Sequence, residues 1–168
     1  MLSTDLMVDA FERIRDAVHP AVNGLSPEEW AFRPDPESNT IAWLVWHLTR
    51  IQDDHVAGLA GTEQAWTANG WAERFGLPLE PTDTGYGHDP GTVAKVTADA
   101  HSLLDYYEDV HGRTLEFVRS LEKDDFARVV DRTWDPPVTL AVRLVSVIVD
   151  DLQHVGQAAY VRGILQRR

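Results

Sequence analysis

A chain of 168 residues with 43% hydrophobic content has the size of one domain and enough apolar side chains to build one core. Its 27 acidic residues outnumber its 15 lysines and arginines, so the net charge of −12 disfavours nucleic acids and anionic membranes as partners. The absence of cysteine excludes disulfides, thiolate ligands and a cysteine nucleophile. No signal peptide is evident and no apolar run reaches about 18 residues, so we expect a single cytoplasmic domain over residues 1–168.

The N-terminal segment carries apolar residues at helical spacing from Leu6 to Val18. This spacing predicts a first helix that ends at His19, because Pro20 cannot donate a helical hydrogen bond. The motif LSPEEW that follows has the composition of a short helix start, and RPDPESN is typical of a loop. We therefore expect one long helix, a brief helical turn and a loop before the next long element.

A second helix is predicted from a cap at Ser38 or Thr40 to an end near Gly58 or Gly61. One of its faces is apolar, and a separate stripe carries residues able to do chemistry: Trp43, His47, Arg50 and Asp54. His47 stands within the apolar run IAWLVWHL, where a merely solvated position would more often hold lysine or glutamate. A histidine packed in the core with one hydrogen-bond partner is the alternative for it.

Residues 62–91 are rich in glycine, proline and aromatic side chains and show no sustained periodicity. A connection of this length in a compact domain is usually functional or partly disordered. Trp71 and Tyr86, with Trp66 and Phe75, are candidates to wall a cofactor pocket over the bundle, and a simple aromatic cover is the alternative. His88, in GYGHDPG, is a weaker candidate ligand.

The remaining chain predicts two more helices. Apolar residues recur at helical spacing over 92–121, which indicates a third helix, and 124–134 is read as an irregular or extended link. Pro136 and Pro137 are predicted to open a fourth helix that continues to about Leu165. Four helices without a persuasive strand indicate an all-α bundle with a long aromatic-rich loop between its second and third helices.

The fourth helix divides into two stripes at 100° per residue. One is apolar and consists of Val145, Ile148, Val149, Leu152, Val155 and Ala159. The other is polar and consists of Arg143, Ser146, Asp150, His154 and Gln157. Asp150 and His154 are one turn apart on this polar stripe, a common way for one helix to supply two metal ligands. Asp151 points to the flank and is ranked below Asp150.

Together, His47, Asp150 and His154 would form a set of two nitrogens and one oxygen with open positions, which is typical of catalytic divalent-metal sites. Spacing by itself favours a water-solvated face, since amphipathic helices normally carry polar stripes. Arg143 is a candidate anchor for an anionic substrate, or simply the partner of a surface acid. Asp54 is a candidate catalytic base.

The motifs A-W-L-V-W-H-L and D-D-L-Q-H-V-G-Q-A-A-Y-V-R-G, in this order of helices, resemble the DinB-like metal-binding four-helix family. More narrowly, the chain resembles the mycothiol-dependent branch, which includes the N-terminal domain of mycothiol-dependent maleylpyruvate isomerase. The resemblance implies His47, Asp150 and His154 as ligands of a divalent ion, with zinc expected first and nickel or manganese as alternatives. The isomerase has a further C-terminal domain, whereas this chain ends at ILQRR, so isomerase activity is not expected.

The function that this resemblance implies is a metal-dependent thiol S-transferase. A low-molecular-weight thiol, with mycothiol as the first choice, would bind the ion as thiolate and attack a small electrophile held between Arg143 and the aromatic loop. Two other functions stay open. One is hydrolysis by a metal-bound water with Asp54 or Asp151 as base, and the other is a non-catalytic binding module, with a homodimer as one arrangement.

Overall fold

The computed structural model describes residues 3–98 and 100–168, with only the backbone of Ala100. Its four long helices are α1 (Ser3–Val22), α3 (Ile41–Ala60), α7 (Ala100–Ser120) and α8 (Leu140–Leu165). α8 packs against α1 and α3, and α7 packs against the same two helices. The four therefore form a bundle with α7 and α8 on one diagonal, and the predicted all-α class is confirmed. Within the described residues, no helix is long and apolar enough to cross a bilayer.

The end of α1 differs from the prediction. The helix continues through Pro20 to Val22 instead of ending at His19. Proline removes only its own donor, and the next turn still closes because the Asn23 N–H donates to the His19 carbonyl over 2.8 Å. Burial of Ala21 and Val22 in the core favours this last turn.

Capping residues set the bounds of α2 (Pro27–Trp30) and α3 as the sequence predicts. Ser26 and Glu29 form a reciprocal capping box at the start of α2. The Thr40 hydroxyl accepts a hydrogen bond from the Trp43 N–H at the start of α3. Gly61 ends α3 in the left-handed conformation that glycine adopts without strain.

The segment after α3 contains three short helices, α4 (Ala65–Ala68), α5 (Trp71–Phe75) and α6 (Pro90–Val93). Buried polar side chains of α3 hold it in place. The Asp53 carboxylate accepts hydrogen bonds from the Ala65 and Trp66 N–H groups. Arg50, fully buried, donates to the Gln64 side chain and to the Asp83 carbonyl. The predicted loop is thus an ordered layer bound to the bundle.

The third long helix starts later than predicted. Instead of one helix over 92–121, α6 ends at Val93 and α7 begins at Ala100. Val96 and Thr97 form tight turns, in which their N–H groups donate to the Val93 and Lys95 carbonyls. Val93 and Val96 are nevertheless buried, so the apolar spacing identified core residues even though the backbone over 94–98 is not helical.

The start of the last helix also differs from the prediction. A 3-10 helix (Lys123–Ala127) leads into a two-stranded antiparallel sheet of β1 (Val129–Asp131) and β2 (Val138–Thr139). Pro136 and Pro137 lie in the connection between these strands and do not open the helix. α8 begins at Leu140 because Thr139 caps it, with the Thr139 hydroxyl accepting from the Val142 N–H.

The side of α8 that packs into the core is not the apolar stripe predicted from the sequence. Its buried residues are Leu140, Leu144, Val147, Asp151, Val155, Ala158 and Val161. Val145, Val149 and Leu152, predicted to belong to one apolar face with Val155, are about half exposed. α8 is apolar on two sides, so periodicity by itself could not tell which side the other helices cover.

Candidate metal centre

The structure brings His47 of α3 together with Asp150 and His154 of α8. One potential ligand atom from each side chain lies within 4.8 Å of the others. The His47 Nε2 is 3.9 Å from Asp150 Oδ2, and the His154 Nε2 is 3.7 Å from Asp150 Oδ1. The two imidazole rings meet edge to face, with centroids 4.7 Å apart. Residues separated by more than 100 positions in the chain therefore form one cluster.

Hydrogen bonds on the far side of each ring determine which nitrogen is free. The His47 Nδ1 contacts the Thr84 carbonyl, which can only accept, so the proton of neutral His47 lies on Nδ1 and the lone pair on Nε2. The His154 Nδ1 is 2.9 Å from Gln157 Oε1, which favours the same tautomer. Burial lowers the pKa of His47, and the Thr84 carbonyl partly opposes this shift. Both rings thus direct Nε2 toward Asp150.

With both rings neutral, three electron-pair donors face one another at this centre. The Asp150 Oδ2 is itself buried and has no hydrogen-bond partner, a costly state for a carboxylate oxygen. A divalent cation would satisfy all three groups at once. Two imidazoles and one carboxylate suit zinc, nickel or manganese, and ligand distances of about 2.0 to 2.2 Å would require the side chains to close in slightly.

An aromatic wall supports the two histidines. Trp43 stacks on the His47 ring at 4.5 Å with an interplanar angle of 9° and meets the His154 ring at its edge. The Trp43 indole N–H donates to His88 Nδ1, and the other nitrogen of His88 lies 2.9 Å from the Asp83 carboxylate. His88 therefore supports the wall instead of joining the ligand cluster.

The backbone also approaches the centre closely at Gly85. A Cβ at this position would lie 2.8 Å from His47 Nδ1 and 3.0 Å from the Trp46 ring, and Gly85 has a φ of +93°. Only glycine fits such a place without strain. Asp83, Thr84 and Gly85 are not among the candidate residues that the sequence predicts. The GYG sequence in an irregular loop is the signal that points to a close backbone approach.

Arg143 and Asp54 lie apart from the ligand cluster. They line a polar cleft of about 560 Å³ between α3, β1 and the start of α8, about two helical turns from the ligands on each helix. Arg143 donates to the Asp131 carboxylate over 2.9 Å, and Asp54 accepts from the Gln64 side chain. Arg143 thus pairs with an acid, Asp131, which is the simpler of the two roles that the sequence allows for it.

The two aromatic candidates lie in different surroundings. Trp71 is buried against Phe75 and Tyr106, and its indole N–H donates to the Asp109 carboxylate over 2.7 Å. These contacts give Trp71 a packing role. Tyr86 is 92% exposed and follows Gly85 directly, so it lies beside the backbone that covers His47 and is available to a ligand.

Asp151, ranked below Asp150 from the sequence, lies inside the bundle. It is fully buried, and neither carboxylate oxygen has a hydrogen-bond partner. Burial, reinforced by the nearby Asp150 carboxylate, raises the pKa of Asp151 well above its ordinary value. It is absent from the ligand cluster, so the two neighbouring acids have separate environments.

A bundle with one histidine on its second long helix and an aspartate–histidine pair on its last defines a class of metal-binding four-helix proteins. Residues 10–158 match the sequence profile of the DinB superfamily, and the chain belongs to that superfamily. A solved structure described as a conserved protein from Enterococcus faecalis is similar to it. The two are 30% identical with a TM-score of 0.93, over 100% of this chain and 99% of the other. No curated protein matches significantly.

Proposed function

We propose that this protein is a divalent-metal-dependent thiol S-transferase with His47, Asp150 and His154 as its metal ligands. The observation that carries the proposal is the convergence of the Nε2 atoms of two histidines on the Asp150 carboxylate, whose buried Oδ2 lacks a hydrogen-bond partner. A divalent ion held there would supply a Lewis acid that favours the thiolate of a bound thiol over the thiol at neutral pH. The chain has no thiol of its own, so the nucleophile must come from a small molecule.

The protein's own groups would prepare the site in three ways. Thr84 and Gln157 hold the two imidazoles with Nε2 directed at Asp150. Trp43 covers one face of His47 and excludes water from that side. In the reaction, the sulfur of the thiolate would form a bond to an electrophilic carbon, the leaving group would depart with the electron pair of its bond, and the thiol proton would go to solvent.

The positions of two acids favour transfer over hydrolysis. A metal-dependent hydrolase commonly needs a base beside the attacking water, and the sequence offers Asp54 or Asp151. Asp151 is fully buried, away from any solvent-filled space. Asp54 lies about two turns along α3 from His47 and accepts a hydrogen bond from Gln64. A thiol needs no such base once its pKa is lowered.

The polar cleft lined by Arg143 and Asp54 is the place we propose for the polar body of the thiol. It contains charges of both signs, including Arg128 and Asp131, and it opens two turns from the ligands. Mycothiol is the first thiol to test because of the sequence resemblance. The proposal also implies the cytoplasm, where small thiols are kept reduced.

The metal site is tested by zinc content and zinc titration on purified protein. We expect one tightly bound ion in the native chain and its loss in His47→Ala, Asp150→Ala and His154→Ala. Asp151→Asn is the matched control, since it alters the neighbouring acid without changing a ligand, and it should keep the ion. Full metal occupancy in all three ligand variants would contradict the site.

The transfer reaction is tested by following thiol consumption with a haloaromatic electrophile. Zinc-loaded protein should accelerate the reaction of mycothiol more than that of glutathione, and Asp150→Ala should fall to the background rate. Activity that needs metal but no thiol would instead indicate a hydrolase. Binding of thiol without turnover would indicate a binding module.

A further inference from the structure

The outer face of α8 is uncharged along its whole length, in a helix that the structure describes throughout. Its exposed residues are Val142, Val145, Ser146, Val149, Leu152, Gln153, Gly156, Gln157, Ala159 and Tyr160. Four of the large apolar residues among them are between 45% and 51% exposed. The exposed residues of α1, by contrast, include Asp5, Asp9, Arg13 and Asp16. In a protein with a net charge of −12, an uncharged apolar helix face is unusual.

The apolar and small residues on this face repeat with alternating steps of three and four. They are Val142, Val145, Val149, Leu152, Gly156, Ala159 and Gly163. This is the spacing of the seam along which two helices pack in a coiled coil. The large side chains occupy the first half of the seam and the small ones the second half, and the seam faces away from the core residues of α8.

This order of sizes is complementary to itself in the antiparallel direction. If a second α8 crosses the first with a two-fold axis at Leu152, Val145 faces Ala159 and Val149 faces Gly156, so each of these valines meets a residue small enough to let the helices approach closely. Val142 lies opposite Gly163, which the Arg167 guanidinium covers, so the close approach is confined to the middle of the seam. A parallel pair would instead place valine on valine and glycine on glycine. The antiparallel arrangement therefore gives an isologous, self-complementary interface of the kind found in two-fold symmetric homodimers.

The lack of charge among the exposed residues permits a second copy as the occupant. Two chains of net charge −12 repel each other over most of their surfaces, whereas the exposed residues of this face are uncharged and the partly exposed Asp150 only borders it, beside Val149 and Gln153. Gly156 has open space where a Cβ would stand, so it is not needed for packing within one chain. Asp150 and His154 lie on the flank of α8 nearer to α3, outside the seam.

We propose that the outer face of α8 is the interface of a homodimer, with the two helices antiparallel and the two-fold axis at Leu152. The proposal does not depend on the proposed function. An interface along one helix is at the small end of specific interfaces, so the dimer should dissociate on dilution to about micromolar concentration.

Sedimentation velocity over a range of concentrations tests the interface. The native chain should change from monomer to dimer as its concentration rises, and Leu152→Glu should stay monomeric. Leu6→Glu is the matched control, because Leu6 is also an exposed leucine, 53% accessible, but on α1, and it should dimerise normally. A native chain that is monomeric throughout would overturn the proposal, as would a Leu152→Glu variant that dimerises like the native chain.

Disulfide trapping tests the antiparallel direction. Because the native chain has no cysteine, only the introduced thiols can form disulfides. In the Leu152→Cys variant, the two copies should form an intermolecular disulfide, because position 152 meets its own copy at the two-fold axis. Val145→Cys should not, since two copies would lie about 21 Å apart at 1.5 Å per residue. When the two variants are mixed, the cysteine of Val145→Cys should form a disulfide with the cysteine of Ala159→Cys. Self-linking of Val145→Cys as fast as that of Leu152→Cys would overturn the antiparallel arrangement.

Discussion

Gly85 controls how closely the 83–88 backbone approaches the metal centre. Replacing it with alanine places a Cβ 2.8 Å from the ring nitrogen of His47 that faces Thr84, so the loop or the histidine must move. We expect Gly85→Ala to weaken zinc binding at least about tenfold, as loss of a supporting contact to a ligand histidine typically does. Zinc titration of metal-free protein measures this.

Gly87 provides the matched control for Gly85. It also has a positive φ, of +75°, but a Cβ there meets nothing within 4 Å. Gly87→Ala should therefore carry the backbone strain, about 1 to 2 kcal/mol, and keep its zinc affinity. Equal losses of affinity in the two variants would mean that loop strain, and not contact with His47, determines ligand geometry.

Asp151 should make stability depend on pH. Its pKa is raised by burial, so its protonated form is favoured in the folded state. The stability that Asp151 contributes is fully present below the ordinary aspartate pKa and is lost as the pH rises through the raised pKa of Asp151. Asp151→Asn cannot ionise. Relative to that variant, we expect the free energy of unfolding of the native chain to fall by up to about 1.4 kcal/mol for each pH unit between the ordinary and the raised pKa of Asp151.

Urea unfolding of both metal-free proteins between about pH 4 and pH 8 checks this. Metal-free protein is required because zinc binding has its own pH dependence. A difference in unfolding free energy that stays constant with pH would contradict a buried, protonated Asp151.

At the scale of elements, Arg50 connects α3 to the layer that contains α4 and α5. Its fully buried guanidinium donates to Gln64, Tyr106 and the Asp83 carbonyl and lies 3.6 Å from Asp53. Arg50→Met would leave the Asp53 carboxylate buried with one partner fewer. We expect a loss of about 3 to 5 kcal/mol in the free energy of unfolding and faster proteolysis within 76–88.

Arg113 is the matched control for Arg50, since it also donates to this layer, through the Glu63 carbonyl and Asn69, but from an exposed position. Arg113→Met should cost about 0 to 1 kcal/mol. Urea unfolding and limited proteolysis of both variants distinguish a buried anchor from a surface contact. Comparable losses of unfolding free energy in the two variants would contradict the role of Arg50 as a buried anchor of this layer.

At the scale of the whole molecule, a bound ion would join α3 and α8 across the bundle. An ion that binds only the folded state stabilises it by about 2.7 kcal/mol at a concentration 100 times its Kd. For a domain of this size, we expect zinc to raise the Tm by about 5 to 10 °C. Thermal unfolding with zinc and with a chelator measures the shift, and an equal shift in Asp150→Ala would contradict binding at this centre.

Short-range features determined most of the helices in advance. Thr40 and Gly61 mark the ends of α3 because capping depends on residues within one turn. Asp150 and His154 share a stripe because they are four residues apart on one helix. The same local rules failed at Pro20, where burial of the next turn favours helix, and at Pro136 and Pro137, where a strand pairing precedes α8.

Long-range packing decided what the site contains. The amino-acid order placed Asp150 and His154 one turn apart, but only the packing of α3 on α8 brings His47 to them. Likewise, Thr84 contacts His47 across 37 residues of chain, and no periodicity reports such a contact. α8 is apolar on two sides, so only the bundle determines that Asp151 is buried and that Val145, Val149 and Leu152 remain outside. Local sequence determines which residues share a face, whereas the environment of that face depends on the elements packed against it.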